Sequence, residues 1–253
     1  MNKENSNNKI TKVSFGGEDF LESDYSEHWP EEWKITKFKT YPRFPRTPLK
    51  DFNLEENIDL GNVLVNRNSN GIGLQKELNV EILSKLLFNS LGMKSHLPHY
   101  DGGKSKRFYA SAGGALYPIE TYVIVAKRMQ GLDIGLYHYD VLNNCLSRMW
   151  DIPENSKFTL FKEKNNSSVF LVLTSIVGRS QIKYGELAYR FSYIETGIAL
   201  QNLSLLATSF GVANCILNHD DYLLESLLDI DGENEFVTGF FALDFEELKY
   251  GKK

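Results

Sequence analysis

Apolar residues recur at helical spacing in two long stretches of the chain. Over Val80–Leu91, the side chains of Val80, Leu83, Leu86, Leu87 and Leu91 fall on one face, Asn79 is placed to cap the start, and Gly92 occupies the C′ position. Over residues 189–210, Phe191, Ile194, Ile198 and Leu205 form one stripe, Leu203, Ala207 and Phe210 lie beside it, and Gly211 is the stop. A shorter helix is expected over 222–228, capped by Asp220 or Asp221. Strand patterns occupy 121–127 (TYVIVAK), 135–140 (GLYHYD) and 145–150 (CLSRMW), the last two joined through Asn143-Asn144 in a small antiparallel meander. The unbroken apolar run 169–176 reads as a buried central strand, and 236–243 closes the chain. Strands come in groups and do not alternate with helices, which favours α+β over a doubly wound α/β fold.

Residues 1–59 are polar, carry four of the seven prolines and show no sustained period. They are expected to be an extension, loose at first and then packing on the core through Trp29, Trp33, Phe38 and Tyr41; residues 60–253 make the main domain. With 253 residues, 42% hydrophobic and 24% charged, the composition excludes a disordered or fibrous chain. A net charge of −5 argues against a general nucleic-acid binder. No apolar run is long enough to span a bilayer and the first residues lack a hydrophobic signal core, so a soluble cytoplasmic protein is expected. Two cysteines make neither a disulfide framework nor a four-ligand zinc site. The 13% aromatic content suits walls around a flat ligand, or simply an aromatic-rich core.

Several local patterns fail on inspection. Asp101-Gly102-Gly103-Lys104-Ser105 ends like a phosphate-binding loop, but the upstream glycine it needs is Pro98 and no strand is expected before it. His96 and His99 have metal-like spacing; Pro98 between them breaks the aligning helix and no carboxylate or thiol is near, so no metal site is expected. Three other segments carry chemistry. Arg67-Asn68-Ser69-Asn70 offers a guanidinium for a phosphate and polar groups for a heterocycle rim, with a solvated turn as the plain alternative. Residues 111–118 (SAGGALYP) let backbone amides approach a flat ligand, or form an ordinary tight turn. In Lys183-Tyr184-Gly185-Glu186-x-x-Tyr189-Arg190 an ammonium beside a phenol favours the phenolate, making Tyr184 a candidate base; a solvated strand end is the alternative. The helix that follows carries Glu195, Gly197, Gln201 and Asn202.

Taken in order, RNSN, RFYASAGGALYPIETYVIVAK, GLYHYD and VFLVLTSIVGRSQIKYGELAYRFSYIETGIALQNLSLLATSFGVANC resemble the SagB-type dehydrogenases, FMN-dependent azoline oxidases of the nitroreductase superfamily. The likeness runs from about Trp33 to the C-terminus, and the Gly-Gly-Ala-Leu-Tyr-Pro-Ile-Glu and Lys-Tyr-Gly-Glu…Tyr-Arg blocks are specific to that branch. The resemblance implies a nitroreductase-like fold, a mostly antiparallel sheet flanked by helices, in an intertwined homodimer. It implies that Arg67 holds the FMN phosphate and Ser69 bonds the flavin edge. The backbone of Ser111, Ala112, Gly113 and Gly114 would line the isoalloxazine from the partner subunit, and Leu217 and Asn218 would face flavin N5. Lys183 and Tyr184 match the family's catalytic pair. Two positions depart: Gly71 stands where a second basic residue is usual, and the loop Leu217-Asn218-His219-Asp220 lacks the usual glycines.

The implied reaction converts thiazolines and oxazolines of a ribosomally made precursor peptide to thiazoles and oxazoles, beside a cyclodehydratase. A base takes a proton from one ring carbon, hydride leaves the adjacent carbon to flavin N5, and oxygen reoxidises the flavin. Tyr184 as base with Lys183 stabilising the phenolate, and the reverse assignment, both remain open at this point. Two other functions suit the same residues: a general NAD(P)H-dependent nitro or quinone reductase, and a flavin-free scaffold subunit of a peptide-modifying complex.

Overall fold

The computed structural model describes residues 37–50, 58–98, 104–152 and 166–246. Within them the chain runs β1 (Arg46–Pro48), α1 (Leu60–Asn66), α2 (Val80–Leu91), β2 (Met93–Pro98), β3 (Lys104–Phe108), β4 (Ile119–Val125), β5 (Gly135–Asp140) and β6 (Cys145–Trp150). It continues through β7 (Val169–Ile176), α3 (Gly178–Tyr184), α4 (Leu187–Ser209), β8 (Asn214–Leu217), α5 (Asp221–Leu228) and β9 (Glu235–Leu243). Seven strands form one sheet in the order β1-β6-β5-β4-β7-β9-β8, and β2 with β3 forms a separate hairpin. Every neighbouring pair is antiparallel, as the α+β expectation requires.

The continuous apolar run becomes β7, an interior strand between β4 and β9 with both faces covered. Val169, Leu171 and Leu173 point to the core shared with Leu83 and Leu87 of α2 and Leu203 of α4. Phe170 and Val172 point the other way, toward Leu224 and Leu228 of α5. The period-two alternation of strand side chains thus splits one run between two cores. The β5–β6 turn is built by side chains: Asp140 accepts hydrogen bonds from the Leu142 and Asn143 amides, and Asn144 takes the left-handed conformation at φ 43°.

Asn79 caps α2 through a bond from the Ile82 amide, and Leu83, Leu86 and Leu87 are fully buried. Gly92 ends the helix in an extended conformation, φ −66° and ψ 169°, not the left-handed one its position suggested. Space explains the glycine, since a Cβ there would lie 2.4 Å from the Phe88 carbonyl oxygen.

The long helix α4 holds a larger surprise. Its stripe of Phe191, Ile194, Ile198 and Leu205 does not face the sheet; Ile194 is 57% exposed. Small residues face inward instead, among them Ala188, Ser192, Ala199 and Ala207. The sheet approaches closely at one point: a Cβ on Gly239 of β9 would sit 2.9 Å from Thr196 Cγ2. Past the last turn, the Val212 amide donates to Ala207 and the Gly211 amide to Thr208, with Gly211 at φ 73°.

The segment 37–50 joins the core. β1 forms one edge of the main sheet, Phe38 packs on Phe108 at 5.2 Å between ring centroids, and Tyr41 meets His138 edge-on at 5.1 Å. Trp29, Trp33 and His99 lie outside the described residues. Contrary to expectation, a strand (β2) does precede the Asp101–Ser105 stretch, but Lys104 opens β3 and no helix N-terminus follows, so the phosphate-loop pattern still lacks its frame. None of the helices described is long and apolar enough to cross a membrane.

Candidate active site

The glycine-rich segment is a strained loop. Within a single 3-10 turn over Gly113–Ala115 and just beyond it, positive φ angles occur at Gly114 (63°), Ala115 (58°) and Tyr117 (46°). Non-glycine residues in this region cost about 1–3 kcal/mol each, so neighbours must impose the shape. Two do so from outside the loop. Glu195 Oε1 accepts a hydrogen bond from the Gly113 amide at 2.7 Å. At the far end, Arg179 donates to the Tyr117 carbonyl at 3.1 Å and to Glu120 Oε1 at 2.5 Å.

Lys183 and Tyr184 form the last turn of α3, so they are on a helix and not a strand end. The Lys183 ammonium lies 5.7 Å from the centroid of the Tyr184 ring, and that ring meets Phe191 edge-on at 4.8 Å. The pair presses directly on the loop. A Cβ on Gly114 would come within 2.8 Å of the Tyr184 hydroxyl and 3.5 Å of Lys183 Cδ, so glycine is required there for both its φ and its bareness. Ser111 and Gly114 are exposed, while Ala112 and Gly113 are half-buried.

Beneath the loop lies a cavity of about 510 Å³, mouth included, walled by Phe38, Phe108, Tyr117 and Tyr139 among others. Glu195 stands in its wall, 4% exposed. Burial pushes its carboxyl up to about 7, only partly countered by the Gly113 amide. Its second oxygen, Oε2, is buried without a hydrogen-bond partner among the described residues.

A buried polar network fixes α3 to the sheet. Glu120 holds Arg179 and the Lys39 amide on Oε1 and His138 Nε2 on Oε2, the last at 2.8 Å. Burial pushes the Glu120 carboxyl up, but the His138 hydrogen bond and the Arg179 charge outweigh it and hold the group below the usual carboxylate range. Alongside, Glu235 accepts from Tyr122 at 2.9 Å and Thr174 at 2.7 Å and pairs with the Lys39 ammonium. The network therefore ties together segment 37–50, β4, β9 and the first turn of the helix that carries the Lys-Tyr pair.

The remaining candidates stand elsewhere. Arg67 is exposed at the C-cap of α1, and Ser69 is exposed in the turn after it. Asn68 organises this turn, accepting from the Asn70 and Ile72 amides and donating to Ile72. Gly71 is buried at φ 78°, so the turn demands glycine where a basic side chain would be strained. Leu217 is buried at the end of β8, and Asn218 follows it, exposed. Among the described residues no hydrogen bond joins Arg67 to the glycine loop or the Lys-Tyr pair. One chain thus assembles Gly113, Gly114, Lys183 and Tyr184, and leaves Arg67 and Asn218 on its surface.

Arg179, Glu120 and His138 were not among the sequence candidates, and Glu195 was noted on the long helix without a role. Glu195 had a visible signal, for it shares the small-residue face of α4 with Ala188, Ser192 and Ala199.

An antiparallel sheet packed against a long helix, with a glycine loop over a lysine–tyrosine pair, defines a class of helix-flanked α+β proteins with an open surface site. The chain belongs to the Nitroreductase family, whose pattern it matches over residues 74–243, and this is a family of oxidoreductases. It is 28% identical over 161 residues to MJ1384 of Methanocaldococcus jannaschii, whose name places it among nitroreductases. It is 28% identical over 187 residues to the trifolitoxin-processing protein TfxB of Rhizobium leguminosarum and 26% over 166 residues to the microcin B17-processing protein McbC of Escherichia coli. The matches cover 62%, 69% and 62% of this chain, and span 77%, 49% and 58% of those relatives. Among solved structures, a chain of the E. coli microcin synthetase McbBCD complex with truncated pro-MccB17 aligns at TM-score 0.60 and 20% identity, covering 94% of this chain and 86% of that one. A Desulfovibrio desulfuricans protein in complex with FMN aligns at TM-score 0.50 and 13% identity, covering 79% and 93%.

Proposed function

We propose that this protein is an FMN-dependent dehydrogenase of the SagB type, oxidising thiazoline or oxazoline rings in a precursor peptide to thiazoles or oxazoles. The observation that carries the reading is the contact of Tyr184 and Lys183 with the bare backbone of Gly114, because a reductase working on free nitro compounds has no need of a proton acceptor there. Two relatives named for processing a toxin peptide or a microcin lend support at the level of the family.

The residues fit a flavin. Ser111 and Ala112 line the aromatic-walled cavity beside the exposed backbone of Gly114, Arg67 offers an exposed guanidinium for the phosphate, and Ser69, Leu217 and Asn218 would complete the holding set. FMN, when bound, supplies the acceptor for the hydride that leaves the ring, and dioxygen regenerates it. Tyr184 takes the proton from the adjacent ring carbon, with the Lys183 ammonium 5.7 Å from the centroid of its ring. Aromatic walls and the clamped loop hold the ring in orientation.

A homodimer completes this reading. The outward stripe of α4 and the exposed Leu60, Leu64 and Val65 of α1, which packs on α4, offer an apolar face to a second copy. The test is aerobic incubation with an azoline-bearing peptide followed by mass spectrometry. The expected result is loss of one pair of hydrogens per ring by the wild type, and none by Lys183→Ala or Tyr184→Phe proteins that retain flavin. Variants that lose their flavin would make the pair cofactor-binding instead. Fast NAD(P)H consumption with no change in the peptide would favour a general reductase, and a colourless protein a scaffold.

A further inference from the structure

We propose that Glu195 is the positioning residue of this site: acting through the Gly113 amide, it sets the glycine loop against the Tyr184 phenol. The proposal rests on the catalytic assignment of Lys183 and Tyr184 above.

Stability does not account for a carboxyl at this place. The inward face of α4 is otherwise small or aliphatic, and leucine or methionine would bury there with no polar group to desolvate. Glu195 instead uses one oxygen, on Gly113, and leaves the other buried without a partner among the described residues. An unfavourable group retained in a functional wall points to the contact it does make.

That contact controls a strained segment. Arg179 pins the exit of the loop at the Tyr117 carbonyl, and Glu195 pins its entrance at Gly113. Between the two pins the backbone turns through the positive φ angles of Gly114 and Ala115. The same glycine stands between acid and phenol: a Cβ on Gly113 would lie 3.4 Å from Glu195 Oε1 and 3.8 Å from the Tyr184 hydroxyl. Release of the Gly113 amide therefore shifts the surface against which Tyr184 is seated, and the loop proposed to line the flavin moves with it.

Three holoprotein variants test this. Glu195→Leu fills the space and removes the idle oxygen. Its melting temperature should equal or exceed the wild type's, while azoline turnover falls about a hundredfold and the peptide KM stays within about threefold. Hydrogen exchange of residues 111–117, followed by mass spectrometry, should become faster. Glu195→Gln keeps an acceptor for Gly113 and should restore both turnover and slow exchange. Gly113→Pro removes the donor and sets a ring carbon against Glu195 Oε1, which accepts at 2.7 Å in the wild type, so the loop leaves its pin and turnover should fall at least as far as in the leucine variant. A leucine variant with wild-type turnover and slow exchange overturns the proposal, as does a glutamine variant as slow as leucine. Should the leucine protein not fold, full turnover by Gly113→Pro overturns it equally. The exchange measurement needs no substrate, so a chain that oxidises no azoline is distinguished from a loop that Glu195 does not hold.

Discussion

Arg179 and Glu120 form a 2.5 Å ion pair inside the protein, joining the first turn of α3 to the start of β4. Arg179 also holds the Tyr117 carbonyl, so one guanidinium sets the distance between the glycine loop and the helix that ends in Lys183 and Tyr184. Breaking a buried pair leaves a charge uncompensated, at a cost of about 3–5 kcal/mol. Arg179→Ala should lose stability on this scale by denaturant unfolding. Arg179→Lys, with one ammonium for two separate acceptors, should recover only part of it.

Glu195 makes stability depend on pH in a definite direction. Its carboxyl is raised from its ordinary value near 4.5 to about 7, so between these values the folded protein keeps a proton that the unfolded chain has released. The contribution is greatest below about 4.5, falls as pH rises, and is constant above about 7. Glu195→Gln cannot ionise. Its melting temperature relative to wild type should climb across this window and then level off; a constant difference across it would contradict the assignment.

Arg67, at the C-cap of α1, shares no hydrogen bond with the Lys-Tyr pair among the described residues, and its effect should be separable. Arg67→Ala should weaken FMN binding by up to about a hundredfold, the loss of one charge-assisted bond of roughly 1.5–3 kcal/mol, without destabilising the chain. Fluorescence titration of released flavin measures it. Unchanged affinity would place the phosphate elsewhere.

Ile194, 57% exposed at the middle of the outward stripe, tests the dimer. Ile194→Glu should leave the circular dichroism spectrum intact and convert the sedimenting species from dimer to monomer. A wild-type monomer that holds stoichiometric FMN would refute the shared site.

Where pattern and packing are local, the sequence is legible to the residue. β5, β6, β7 and α2 fall where alternation, apolar runs and caps put them. The outward face of α4 was not legible, because an apolar stripe has the same spacing whether it meets its own sheet or another surface. α3 escaped because a helix of 7 residues is too short to show a period. Lys183, Tyr184 and the glycine loop stood out through their residue types. The roles of Glu195 and Arg179 did not, since the Gly113 and Glu120 contacts that give them meaning span 82 and 59 residues. The Gly71 departure, by contrast, has its cause in one backbone angle.

Azoline oxidation is tested most directly by anaerobic mixing of the flavin-loaded protein with an azoline-bearing peptide, followed by the visible absorbance of the flavin. An azoline dehydrogenase should bleach once per bound flavin with the wild type, with the rate falling by about 10²–10⁴-fold in Tyr184→Phe or Lys183→Ala. A flavin that bleaches with NAD(P)H and stays yellow with every azoline peptide would contradict it.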